Sequence, residues 1–219
     1  MAQRRIRFIG TLDGRATLAR YGLAPLPPYI HHTPNADDRE RYQTVYAEHD
    51  GSIAAPTAGL HFTTALLDRI RAHGAAVVTL DLHVGLGTFK PVRVEDPAAH
   101  PMHAERYTIT AEVARAINER HDAGGRRWAV GTTTVRALET VADEQGRVAA
   151  SSGETTLFIR PPHVFRAVNA LVTNFHLPRS TLLMLVCAFG GYEPVMRAYA
   201  EAIRERYRFY SYGDAMVIL

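Results

Sequence analysis

A short apolar strand that passes through one glycine into a run of threonines, and then directly into a helix, constrains this chain more than any other feature. The stretch is AVGTTTVRALET, Ala129 to Thr140. Trp128, Ala129 and Val130 supply a buried strand, and Gly131 lets the backbone turn tightly. Thr132, Thr133 and Thr134 then place hydroxyls where a helix start has unpaired N–H donors. Such a junction suits an anion or a sugar hydroxyl. Two further strand exits resemble it: LHVGLGTFK, Leu82 to Lys90, and LVTNFHLPRSTLL, Leu171 to Leu183. Ligands of open α/β sheets bind outside the carboxyl ends of strands, so the three exits predict one shared pocket.

The rest of the chain reads as α/β. Residues 3 to 12 alternate in polarity like a strand, and a helix-compatible stretch follows to Tyr21. Pro25, Pro27, Pro28 and Pro34 mark a linker between Gly22 and Asp38. Helices are expected from Thr64 to His73, from Thr110 to Gly124, after Thr134 to about Asp143, from 180 to 189, and from Pro194 to Arg206. Strands are expected at 76–84, at Trp128–Val130, at 155–159, at 170–175 and in the tail Met216–Leu219. The predicted fold is therefore a mixed-sheet α/β lobe with flanking helices.

With 47% hydrophobic residues the chain can bury a core, and a formal charge of +3 permits nucleic-acid contact without requiring it. The single cysteine, Cys187, excludes a disulfide framework and a cysteine zinc site. Eleven histidines invite a zinc reading, but no HExxH or close metal-spaced pair occurs, so no metal is expected. The N-terminus has no signal-peptide pattern and the longest apolar run is too short to span a bilayer, which predicts a cytoplasmic location. Of the 25 basic residues only Lys90 is lysine, either because arginine would not serve there or by chance on a solvated edge.

Several side chains can carry chemistry. Asp81 and His83 share a strand face, where the carboxylate can orient the imidazole as a base; a solvated polar face reads the same. His61 and His176 stand at loop positions, each either a catalytic group or a satisfied surface histidine. Arg136, one turn into the helix after the threonines, can clamp a carboxylate or stand exposed. Glu105 and Asp214 lie beside aromatic residues, where they can bind a cation or ribose hydroxyls, or serve as turn or cap residues. Tyr207, Phe209, Tyr210 and Tyr212 alternate with Arg206 and Arg208, a pattern that suits base stacking on RNA or packing into the core.

In order and spacing, LPPYI (Leu26 to Ile30), ERYQTVYA (Glu40 to Ala47), AAPTAGLHF (Ala54 to Phe62), LHVGLGTFKPV, MHAERY, AVGTTTVRALE, TNFHLPRSTLLMLVCAFGG and YRFYSYGDAM resemble one family. It is the S-adenosylmethionine:tRNA ribosyltransferase-isomerase family of queuosine biosynthesis. The resemblance implies transfer of the ribosyl part of S-adenosylmethionine to the 7-aminomethyl-7-deazaguanine of tRNA. Isomerisation then gives epoxyqueuosine and releases adenine and methionine. S-adenosylmethionine enters as substrate, tRNA is the partner, and the chain is expected to act as a monomer away from any membrane. Under this reading His61, or His83 with Asp81, is the base, and Thr132 to Thr134 with Arg136 hold the methionine carboxylate. Asn174 and His176 contact ribose or adenine. Thr57, Gly85, Gly87, Lys90, Glu105, Gly131 and Asp214 complete the substrate-binding set, and Tyr207, Arg208, Tyr210 and Tyr212 face the RNA. Family members carry a longer N-terminal portion with a motif like NDTRVIPARL that nothing here matches. The expected domains are thus residues 1–25, a remnant of an inserted β-rich domain, and 26–219, the catalytic lobe. Without the missing portion, the alternative is a non-catalytic module that binds S-adenosylmethionine or RNA.

Overall fold

The computed structural model describes residues 7, 9, 13–27, 29–30, 32–49, 52, 54–85 and 94–219. The chain divides into two compact units, 1–42 and 43–219.

In the first unit, helix α1 (Gly14–Tyr21) is capped by Asp13, whose carboxylate accepts the Ala16 N–H at 2.7 Å. Helix α2 (Ala36–Arg41) begins inside the expected linker. Its start is a reciprocal cap: Asn35 Oδ1 accepts the Asp38 N–H and Asp38 Oδ2 accepts the Asn35 N–H, both at 3.0 Å. The prolines stop at Pro34, so nothing prevents a helix once Asn35 supplies this cap. The strand expected at 3–12 lies outside the described residues apart from 7 and 9.

The second unit contains α3 (Thr64–Ala72), β1 (Asp81–His83), β2 (Glu105–Ile109), α4 (Ala111–Asp122), β3 (Trp128–Val130) and α5 (Thr132–Val141). β4 (Ser151–Thr155), β5 (Ala170–Asn174), α6 (Thr181–Gly190), α7 (Tyr192–Arg204) and β6 (Ala215–Ile218) follow. Side-chain hydroxyls start three of the helices: Thr63, Thr110 and Ser180 accept from Leu66, Val113 and Leu183 respectively. Two three-stranded sheets result, ordered β1-β2-β4 and β3-β5-β6. The first is antiparallel throughout. In the second, β5 runs parallel to β3, with Ala129 opposite Leu171, and antiparallel to β6, with Asn174 opposite Ala215. The mixed α/β class is as expected, with strands of both directions.

The differences from expectation have local causes. The strand expected at 76–84 contracts to Asp81–His83, because β2 offers partners only from Arg106 to Thr108. The strand expected at 155–159 lies at Ser151–Thr155. Beyond Thr155 the backbone leaves the sheet to give the carbonyls of Thr155 and Leu157 to the Arg136 guanidinium, at 3.4 and 2.9 Å. Strand β2 has no counterpart in the sequence reading, since its inward positions are Glu105, Tyr107 and Ile109 and the charge masks the alternation.

Ala129, Val135, Leu171, Leu185 and Val186 are essentially inaccessible and form the centre of the core between the β3-β5-β6 sheet, α5 and α6. Truncating a side chain such as Leu171 here costs about 2–5 kcal/mol. Rigidity at this point matters because β3 and β5 end together at the residues described next.

Candidate functional site

Strand β3 ends at Gly131, whose φ of 94° belongs to glycine alone among unstrained residues. Its N–H donates to the Val172 carbonyl at 2.9 Å, locking the turn to the neighbouring strand. Helix α5 starts at the next residue without a side-chain cap. Thr134 does not provide one, because its hydroxyl turns back to the Val130 carbonyl at 2.8 Å. The first N–H groups of α5, with the positive end of the helix dipole, are thus left for a ligand or solvent. Thr132 is buried, and Gly131, Thr133 and Thr134 are half-buried.

A 3-10 turn, Thr57–His61, lies against this junction. Ala58 is buried, and a Cβ placed on Gly131 would stand 4.0 Å from the Ala58 Cβ. Gly59 is pressed under Thr44 and Tyr46, where any side chain would collide with the Tyr46 hydroxyl. Burial raises the Tyr46 phenol pKa above its ordinary value. The turn ends with His61, which is exposed.

Strand β5 delivers the partner of that ring. Asn174 is 2% exposed, and its amide nitrogen faces His61 Nε2 at 3.3 Å and the Tyr210 carbonyl at 3.2 Å. One residue earlier, the Thr173 hydroxyl bonds His176 Nε2 at 2.8 Å, and the His176 backbone N–H donates to the Tyr199 hydroxyl at 2.8 Å. Burial pushes the His176 imidazole down to about 4, so it is neutral at neutral pH, and pushes Tyr199 up to about 12.

The loop before β6 closes over the same strand end. The Tyr210 N–H donates to the Phe175 carbonyl at 3.0 Å, and Asp214 Oδ2 and Oδ1 accept from the Arg208 backbone and guanidinium at 2.7 and 3.2 Å. These two donors, with a smaller contribution from His61, hold the Asp214 carboxyl below its ordinary value. The carboxylate expected to bind ribose therefore also staples the 208–214 loop. Phe175 packs on Tyr199, Phe209 and Tyr207 at ring-centroid distances of 5.2, 4.9 and 6.0 Å. Of the aromatic-basic set, Tyr207 and Arg208 are exposed, while Tyr210 and Tyr212 are half-buried.

Arg136 and Glu105, each expected to meet substrate, meet one another. Their side chains are 5% and 4% exposed and form an ion pair at 2.6 Å. Burial lowers the Arg136 pKa and Glu105 opposes that shift. The pair joins α5 to β2 and turns the arginine away from the helix start. Asp81 and His83 lie on β1, in the other sheet, both exposed; the Asp81 carboxylate pairs with His49 Nδ1 at 3.2 Å. Val84, beyond β1, is held by the Ser52 hydroxyl through its N–H at 2.8 Å, and Gly85 is exposed. Gly87 and Lys90 lie outside the described residues. Two of the three expected strand exits thus come together, joined by Thr57–His61 and by the 208–214 loop, while the third leaves the other sheet.

Several residues escaped the sequence reading. Tyr199 follows Val195 and precedes Ala202 on the buried face of α7, a helical spacing that marks it as inward-facing. Glu139 gathers the N–H groups of Arg166, Ala167 and Val168 at 2.9, 2.9 and 3.0 Å, a role with no sequence signal. Among the described residues no group of three or more His, Cys, Asp or Glu is placed to hold a metal ion, and no helix is long and apolar enough to cross a membrane.

Comparison with known proteins places these features in a family. The profile of the family described as queuosine biosynthesis protein matches residues 1–218. An S-adenosylmethionine:tRNA ribosyltransferase-isomerase of Symbiobacterium thermophilum is 60% identical over 92% of this chain and 59% of its own length. Those of Citrifermentans bemidjiense and an Anaeromyxobacter species are 56% and 59% identical over 98% and 96% of this chain, and in each case 62% of the relative. The crystal structure of an S-adenosylmethionine tRNA ribosyltransferase from Thermotoga maritima, 46% identical, superposes with a TM-score of 0.59 over 74% of this chain and 51% of that one. The chain spans about three-fifths of the length of the curated relatives it matches. It belongs to the queuosine biosynthesis protein family.

Proposed function

We propose that this chain transfers the ribosyl moiety of S-adenosylmethionine to the 7-aminomethyl-7-deazaguanine of tRNA and isomerises it, giving epoxyqueuosine-tRNA. The observation that carries this reading is the meeting of His61, Asn174 and the uncapped start of α5 at the ends of two parallel strands. A sulfonium nucleoside presents three things to recognise: a carboxylate, a ribose and a purine. The first N–H groups of α5, at Thr132 to Thr134, suit the carboxylate, because the helix dipole and the donors there both favour an anion. Asn174 and His61 offer hydrogen bonds to the nucleoside. His176, neutral and desolvated, orients Thr173 and the strand end, and the Glu105–Arg136 pair sets the position of α5. Asp81 and His83 remain the alternative base, supplied from the other sheet, with Thr57, Gly85, Gly87, Lys90 and Asp214 around the substrate. The exposed Tyr207 and Arg208, beside Tyr210 and Tyr212, face the RNA, where a ring and a guanidinium can stack on bases. The reaction places the protein in the cytoplasm with its tRNA.

The test is adenine release from S-adenosylmethionine in the presence of tRNA carrying the deazaguanine precursor. Release that depends on the tRNA supports the reading, and its absence with intact binding of S-adenosylmethionine supports a binding module instead. Alanine at His61, His83 or His176 sorts the roles, since general acid–base groups contribute about 10²–10⁴-fold.

A further inference from the structure

The Asn174 side chain carries an asymmetry that stability does not explain. Its amide nitrogen makes two contacts, to the Tyr210 carbonyl at 3.2 Å and to His61 Nε2 at 3.3 Å. Its carbonyl oxygen Oδ1 is buried and has no hydrogen-bond partner among the described residues. A backbone carbonyl can only accept, so the atom facing Tyr210 must be the NH2 group, and the orientation of the amide follows from chemistry. The second hydrogen of the same NH2 then points at His61 Nε2. That nitrogen must be an acceptor, and in a neutral imidazole the proton must sit on Nδ1.

We infer that Asn174 is a positioning residue that fixes His61 as the Nδ1–H tautomer, so that this histidine offers the substrate a hydrogen-bond donor in place of a base. The inference rests on the proposed reaction only for what the donor meets, namely a ring nitrogen of the departing purine, where electron density collects as the glycosidic bond breaks. His61 keeps its proton and contributes a hydrogen bond that strengthens as the electron pair of the broken bond passes to the purine, and preorganised donors supply such stabilisation best. The purine takes up its proton from water to leave as neutral adenine. The base that removes the proton beside the sulfonium is then a different group. The framework is in place before substrate arrives: the Gly131 N–H to Val172 carbonyl bond ties the end of β3 to β5, and Ala58 of the 3-10 turn lies close to Gly131. The Asp214 carboxylate, whose charge interacts with His61, accepts from Arg208, and among the described residues the His61 ring is seen to bond only Asn174.

Two-bond nitrogen–proton spectra of the full chain, labelled at the histidine ring nitrogens and recorded above the titration of the imidazoles, read the tautomer directly. His61→Gln identifies the signals. The expected result is a protonated Nδ1 and an unprotonated, acceptor-type Nε2 for His61. In Asn174→Asp the new carboxylate can only accept, so the pattern inverts to Nε2–H, and adenine release falls about 100-fold. A wild-type spectrum with Nε2 protonated overturns the inference without any variant, which covers failure of Asn174→Asp to fold. An inverted tautomer in Asn174→Asp with unchanged adenine release also overturns it. A wild-type chain that shows the Nδ1–H tautomer but releases no adenine leaves the positioning intact and counts against the proposed reaction instead.

Discussion

Two polar clusters border α5, a buried ion pair at Arg136 and a second group around the helix start, and they differ in what each leaves available to another molecule. Arg136 and Glu105 form a closed pair, with the guanidinium also donating to the Leu157 and Thr155 carbonyls. At the other cluster the Asn174 carbonyl oxygen has no hydrogen-bond partner among the described residues, His61 is exposed, and the start of α5 has no side-chain cap. Leaving one buried acceptor unpaired costs about 1–3 kcal/mol. The first cluster holds the sheets and helix in register, and the second keeps hydrogen-bonding capacity available for another molecule. Sequence alone does not separate the two, because an arginine and a glutamate next to a threonine-rich turn look as suited to substrate as an asparagine and a histidine do.

The comparison breaks most sharply at the closed pair. Arg136→Met leaves the Glu105 carboxylate buried without its counter-charge, and chemical denaturation is expected to show a loss of about 3–5 kcal/mol. The double variant with Glu105→Leu recovers most of it, since a well-packed apolar pair replaces two desolvated ions. An Arg136→Met chain of unchanged stability that fails only in binding would reassign the arginine to substrate.

A somewhat smaller effect comes from the neutral imidazole of the open cluster. The folded-state pKa of His176 is about 4, below its ordinary 6.5. As pH falls through this window the unfolded chain takes up the proton first, so the stability contributed by burial is present above 6.5 and lost towards 4. The full loss is roughly 3 kcal/mol, from about 1.36 kcal/mol per unit. Denaturation midpoints of wild type and His176→Asn between pH 4 and 7 should therefore converge as the pH falls, and parallel curves would place the ring in water.

The strand-turn-helix junction at Gly131 was legible because glycine, threonines and an apolar strand are local signals, and the same holds for α3, α4, α6 and β6. Asn174 and His176 were legible as a strand exit. What stayed hidden depends on distant partners. His61 is 113 residues from Asn174, so no pattern announces that Thr57–His61 docks on β5. Asp81 and His83 do share a strand face, but the carboxylate found His49 from another segment instead. Glu105 hid β2 because its charge is met by Arg136 on α5, a partner distant in sequence. In the aromatic tail Phe209 joins Phe175 in the core, as the packing alternative expected, while Tyr207 stays exposed.

The claim that the open cluster handles the sulfonium nucleoside is tested most directly by calorimetric titration of S-adenosylmethionine into wild type and His61→Ala, which needs no turnover. The account expects saturable one-site binding by wild type and at least about tenfold weaker binding by the variant, roughly 1.4 kcal/mol, with the unfolding midpoint unchanged. Equal affinity in the two proteins, or no binding by either, would contradict it.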